Sequence, residues 1–181
     1  MVIPDGIERI GNYWFWGSEI ESVEISASVR EIGLNAFHNC MNLKSVMFAE
    51  GGQLRKIGMK SFSYTGIKRI TIPKGVEEVL DGAFKGCENL EEVVFEQNSQ
   101  LRTIAECTFC ECRNLNKVDL PEGLKSIGDS AFDSCESLEH IQFPNGLEKI
   151  GVLCFYGCGL REIVLPESVR EVGARAFLYC R

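Results

Sequence analysis

Every phenylalanine and every proline of this chain falls into one of three slots of a repeat 22 to 25 residues long. Eight phenylalanines recur at that interval: Phe15, Phe37, Phe62, Phe84, Phe109, Phe132, Phe155 and Phe177. The other three, Phe48, Phe95 and Phe143, fill the slot that a proline follows in five places. Those prolines (Pro4, Pro73, Pro121, Pro144, Pro166) each come directly after a large apolar residue. A unit this short cannot bury its own apolar face. It must stack on copies of itself, so the chain is expected to be a solenoid whose core is shared between neighbouring coils.

The unit is complete at 120–143, where it reads Leu-Pro-x-x-Leu-x-x-Ile-Gly-x-x-Ala-Phe-x-x-Cys-x-x-Leu-x-x-Ile-x-Phe. The last part alternates apolar and polar residues, which is a strand signal. One strand per repeat, paired with the same strand of the next repeat, gives a parallel sheet along the array. Proline ends each strand because it has no N–H to donate to the ladder. Glycine follows the isoleucine slot in six of eight copies, Leu80 and Ala105 being the exceptions. The Gly-x-x-Ala-Phe-x-x-Cys piece is expected to form a short helical or 3₁₀ turn that drives the phenylalanine into the core. Two connections, Phe48 to Leu54 and Phe95 to Leu101, are longer and polar, and should bulge as surface loops. No stretch reads as a linker, so residues 1–181 are expected to form one solenoid, alone or as a fragment of a longer array.

At this point the motif Ile-Pro-x-x-Val-x-x-Ile-Gly-x-x-Ala-Phe-x-x-Cys-x-x-Leu-x-x-Val resembles the BspA-like (Treponema pallidum-type) leucine-rich repeat family over nearly the whole chain. The resemblance implies a right-handed, curved, horseshoe-like leucine-rich repeat solenoid of about eight repeats. It also implies a surface-associated or secreted protein that binds or adheres to host or extracellular matrix proteins, without catalysis and without a cofactor.

Charge and composition narrow the partners. With 45% hydrophobic residues the chain is not of a disordered type. A net charge of −7 gives no general attraction to phosphate backbones, so a nucleic acid partner is not expected. No apolar run is long enough to span a bilayer, for which about 18 residues are needed. No leader peptide is visible, which leaves the compartment open between cytosol and an exported protein without its leader.

Nine cysteines raise the question of chemistry. Six of them (Cys40, Cys87, Cys112, Cys135, Cys158, Cys180) share one slot, where Ser18 and Thr65 stand in two other copies. Small replacements suit a row of buried thiols better than a redox or metal array. Cys154 sits in the alanine slot and reads as a small core residue. Cys107 and Cys110 occupy slots filled elsewhere by polar residues, so they are expected to be exposed. Two thiols three residues apart on one turn form a Cys-x-x-Cys, readable as a thiol or metal site or as an incidental pair. No second ligand pair accompanies them, as a structural zinc site requires. No nucleophile motif or phosphate loop is present, so no enzymatic activity is expected.

The outward residues of the strands remain as the candidate partner-binding face. They are Met47, Arg69, Thr71, Glu92, Val94, Lys117, Asp119, His140 and Gln142, within a row that runs from Ser22 and Glu24 to Glu162 and Val164. Such a face can grip an extended protein partner, or it can be only a solvated surface of a structural spacer. Trp14, in the alanine slot of the first repeat, reads as a cover for an exposed coil, with exposed aromatic binding as the alternative. The last repeat carries no comparable device, and a homodimer formed through that end is a further possibility.

Overall fold

A computed structural model describes residues 1–180 and confirms the stacked parallel solenoid. The phenylalanine slot forms its spine. Seven successive ring pairs, from Phe15–Phe37 to Phe155–Phe177, stack face to face at centroid separations of 5.0–5.5 Å, with interplanar angles of 2–20°. Around them the isoleucine, leucine and cysteine slots close one continuous core. Burying each apolar side chain of this size stabilises the fold by roughly 1.5–3 kcal/mol.

Two parallel ladders flank the core, where one strand per repeat was expected. The long ladder is formed by Val2–Ile3, Ser22–Ile25 and Ser45–Phe48, and again by Arg69–Ile72, Glu92–Phe95 and Lys117–Asp119. The second ladder is made of two-residue strands at the isoleucine slot. One run comprises Arg9–Ile10, Glu31–Ile32, Lys56–Ile57 and Glu78–Val79. The other comprises Thr103–Ile104, Ser126–Ile127, Lys149–Ile150 and Glu171–Val172. Glycine follows this strand because the coils touch there. A Cβ on Gly33 would lie 2.8 Å from the backbone of Gly11, and one on Gly151 would lie 2.5 Å from the backbone of Gly128. The second ladder breaks once, between the coils of Leu80 and Ala105, the two copies that carry a side chain in place of glycine.

The expected helical turn is absent; among the described residues there is no helix. Two residues per coil, four apart, adopt positive φ, for example Asn35 at 51° and Asn39 at 62°, or Ser130 at 51° and Ser134 at 61°. A left-handed residue breaks the helical path for an L-amino acid. The segment instead chains short turns, as in Ala131 N–H to the Gly128 carbonyl and Cys135 N–H to that of Phe132. Its remaining N–H groups point to the next coil. Ser130, Phe132 and Ser134 donate to Val152, Cys154 and Tyr156, and the same three bonds recur at every coil-to-coil step.

The strand side is less regular. No ladder joins Ser45–Phe48 to Arg69–Ile72, and residues 140–143 and 162–165 form no strand although their sequence pattern is the same. Two of these breaks follow a corner one residue shorter than the Cys-x-x-Leu of four other coils, Thr65-Gly66-Ile67 and Cys158-Gly159-Leu160, although the equally short Ser18-Glu19-Ile20 leads into the paired strand Ser22–Ile25. At both breaks, the glycine packs against a carbonyl of the preceding coil, Met41 for Gly66 and Glu136 for Gly159. The break between Asp119 and Gln142 has no such counterpart in the sequence. The two long connections behave as expected, with Glu50–Gln53 and Glu96–Asn98 exposed on the surface.

Candidate functional site

The residues singled out on the strand face all lie there, because strand alternation sends Val23, Val46, Ile70, Val93 and Val118 inward and their neighbours outward. They do not form one uniform surface. In the middle rungs the register aligns Arg69, Glu92 and Lys117. Arg69 Nε lies 3.1 Å from a Glu92 carboxylate oxygen, and Lys117 Nζ donates to the other at 2.7 Å. Lys117 also reaches Asp119 at 3.6 Å. The hydrogen bond from Lys117, with the nearby Arg69 charge, holds the Glu92 carboxyl below its ordinary range, and the same bond pushes the Lys117 ammonium up. Met47 and Thr71 stand exposed, and Val94 is half-covered.

Further along, the pairing stops. Among the described residues His140 and Gln142 make no side-chain hydrogen bond or ion pair. They line a shallow groove of about 390 Å³ with Lys117, Asp119, Glu162 and Val164. A second groove, of about 610 Å³, shares Asp119 and Gln142 and extends over Leu120, Phe143 and Pro144. The long ladder ends at this place, so the grooves border backbone that no neighbouring strand covers. Glu162 and Val164, the latter 70% exposed, belong to the same patch. They were visible as strand-face positions, but nothing in their type set them apart from the other rungs.

Elsewhere the surface charges are laddered from coil to coil. Arg9–Glu31, Lys56–Glu78 and Lys149–Glu171 run along the second ladder at 3.5, 3.4 and 2.9 Å. Arg55–Glu77 and Lys125–Glu148 do the same beside it, and Arg161–Glu139 links two coils directly ahead of Glu162 and His140 on the strand side. Exposed pairs of this kind contribute roughly 0.2–1 kcal/mol each.

The cysteines divide into two kinds. Each thiol of the shared slot donates to the carbonyl of the phenylalanine in the preceding coil, from Cys40 to Phe15 at 2.9 Å through to Cys180 to Phe155 at 3.2 Å. Burial pushes the thiols of Cys40, Cys87, Cys112, Cys135 and Cys180 up, that of Cys87 to about 11. The thiols of the shared slot are structural donors, and none of them is paired in a disulfide. Cys107 and Cys110 lack that bond, and their expected exposure is corrected: Cys107 is half-buried and Cys110 only 5% exposed. A small side chain in the Cys110 slot sinks between longer ones of the adjacent coils, here Lys85 and Asp133. Ser63, in the same slot, is buried in the same way. Among the described residues, no group of three or more His, Cys, Asp or Glu side chains converges to hold a metal ion.

At the first coil, the Trp14 indole lies over Gly11 and edge-on to Phe15. In later coils the backbone of the preceding coil occupies that place, so the indole covers the open side of the first. An exposed aromatic row, missed in the sequence, follows on the turn ridge. Trp16 meets His38 and His38 meets Tyr64, edge to face at 5.7 and 5.6 Å. Aligning the two residues after each phenylalanine would have shown it.

No helix among the described residues is long and apolar enough to cross a membrane. No curated protein sequence matches the chain. The family model for the BspA type leucine rich repeat region matches in six copies, over residues 1–79 and 55–181. Among solved structures, a leucine-rich repeat protein from Bacteroides ovatus is 31% identical with a TM-score of 0.74, over 92% of this chain and 49% of that one. The leucine-rich repeat protein of T. pallidum is 29% identical with a TM-score of 0.71, over 99% of this chain and 75% of that one. A leucine rich cell surface protein from Faecalibacterium prausnitzii is 26% identical with a TM-score of 0.68, over 99% of this chain and 44% of that one. The chain thus spans about half the length of two of these three structures. Its repeat, its stacked core and these matches agree: the chain belongs to the BspA-type leucine-rich repeat family.

Proposed function

We propose that this solenoid is a non-catalytic protein-binding module of an exported or cell-surface protein, and that its partner lies across the strand face at Lys117, Asp119, His140, Gln142, Glu162 and Val164. The observation that carries this reading is the groove where the long ladder ends. Polar side chains with no partner, exposed apolar surface and uncovered backbone meet there. An extended peptide segment suits such a place, since it can satisfy strand-edge groups while its side chains enter the groove. The cell-surface description of the F. prausnitzii structure supports the compartment. Immobilised host-surface and extracellular matrix proteins provide the test. The triple variant Lys117→Ala, His140→Ala, Gln142→Ala should lose binding that a Lys56→Ala, Glu78→Ala variant on the second ladder keeps. Equal binding by both variants would place the contact elsewhere.

A structural spacer is the second reading. The charge ladders favour it, because they pair coil with coil and leave little of the middle face free for a partner. A spacer would bind nothing on such a panel.

A further inference from the structure

Cys107 and Cys110 stand apart from the other thiols in three respects. They span a single tight turn, closed by the Cys110 N–H donating to the Cys107 carbonyl at 3.2 Å. Such a turn holds its end Cα atoms within about 7 Å, which overlaps the roughly 4.4–6.8 Å that a disulfide bridges. Neither thiol is tied to a phenylalanine carbonyl, as each thiol of the shared slot is, and the Cys110 thiol instead faces a Glu111 carboxylate oxygen at 3.9 Å. Lys85 of the preceding coil completes the cluster. It is anchored to Glu111 at 3.1 Å, and its positive charge favours a thiolate on either sulfur.

We propose that Cys107 and Cys110 form a dithiol–disulfide site that closes by exchange with a small-molecule disulfide. Their unequal burial sets the order of events. The Cys107 thiolate attacks one sulfur of the small disulfide, forming a mixed disulfide and expelling one small thiolate. The Cys110 thiol gives its proton to solvent, and its sulfur then attacks Cys107, forming the internal bond and expelling the second small thiolate. The chain loses two hydrogens and two electrons, and the small disulfide is reduced to two thiols. Burial holds both thiols up, Cys110 to about 12, so the exchange is slow at neutral pH and accelerates as pH rises.

The experiment exposes the folded, reduced chain to oxidised glutathione, quenches it in acid, alkylates the remaining thiols and maps the products by mass. The wild type is expected to lose two hydrogens, retain no glutathione and yield a linked Cys107–Cys110 peptide. Cys110→Ser should retain one glutathione on Cys107, because no second thiol can displace it. Cys107→Ser should react with neither, since Cys110 is nearly enclosed. Thermal melts of both serine variants establish that they are folded. Glutathione persisting on Cys107 of the wild type would overturn the proposal. So would an unreacted pair under conditions that oxidise a short Cys-x-x-Cys peptide. Lys85→Met should slow the first step several-fold, and an unchanged rate would remove Lys85 from the site.

Discussion

The turn side and the strand side of the solenoid are built from the same repeats, yet they differ in regularity. On the turn side, every coil-to-coil step keeps its phenylalanine stack and its three backbone bonds. On the strand side, the ladder breaks after Phe48 and again after Asp119. The difference shows which contacts define the stack. Rings and turn bonds fix the spacing of the coils, and the strand face is left free to vary in sequence and to open. A scaffold can hold its shape on one side while the other is adapted to a partner.

This comparison is easiest to break at its strongest point. Phe84 is fully buried between two stacked rings. Phe84→Ala should destabilise the chain by about 3–5 kcal/mol, measured as a shift of the denaturant midpoint. Gln142→Ala, on the opened face, should stay within roughly 0.5 kcal/mol of wild type. Comparable losses at both positions would mean that the strand face bears as much of the stack as the turns do. A smaller effect is expected at the close contact of coils. The Cβ of Gly151→Ala would lie 2.5 Å from backbone atoms that cannot rotate away. The cost should be about 1–3 kcal/mol, with faster amide hydrogen exchange at Gly151 and Glu171, whose N–H groups bond the preceding coil.

The turn side was legible in part. Slot periodicity identified its core correctly, because phenylalanine, leucine and cysteine recur only where the interior needs them. It did not disclose the backbone. Positive φ falls on Asn35, Asn39, Gly82 and Gly86, which tolerate it, but also on Tyr13, Leu153 and Arg175, which do not advertise it. The left-handed turns are imposed by bonds to the next coil, a tertiary cause that a single repeat does not display. The second ladder escaped for a different reason: a strand of two residues, such as Lys56–Ile57, is too short to show alternation. On the strand side the outward residues were readable from alternation alone. The groove was not, because residues 140–143 have the same pattern as the paired strands. The burial of Cys110 depends on the length of side chains one coil away, at Lys85 and Asp133.

The smallest effect sharpens the comparison on the strand side itself. Glu92 joins three coils through Arg69 and Lys117, so it is the place where this face does hold the stack. Its folded pKa is depressed, chiefly by the hydrogen bond from Lys117. A depressed carboxyl contributes stability above its unfolded value, about 4.3 for glutamate, and loses it as pH falls through the folded value. Glu92→Gln should therefore cost a few tenths of a kcal/mol at neutral pH, as an exposed pair does. That difference from wild type should close as the pH is lowered through the acid range, and it should shrink with added salt at pH 7. Unfolding curves of the two chains at several pH values and two salt concentrations measure both. If the difference persisted in acid, charge would not be its origin, and the contact of the Glu92 side chain with its neighbours would have to account for it. If it closes as expected, the middle of the strand face is held by a weak and screened ion ladder, roughly a tenth of what one stacked phenylalanine contributes on the other side.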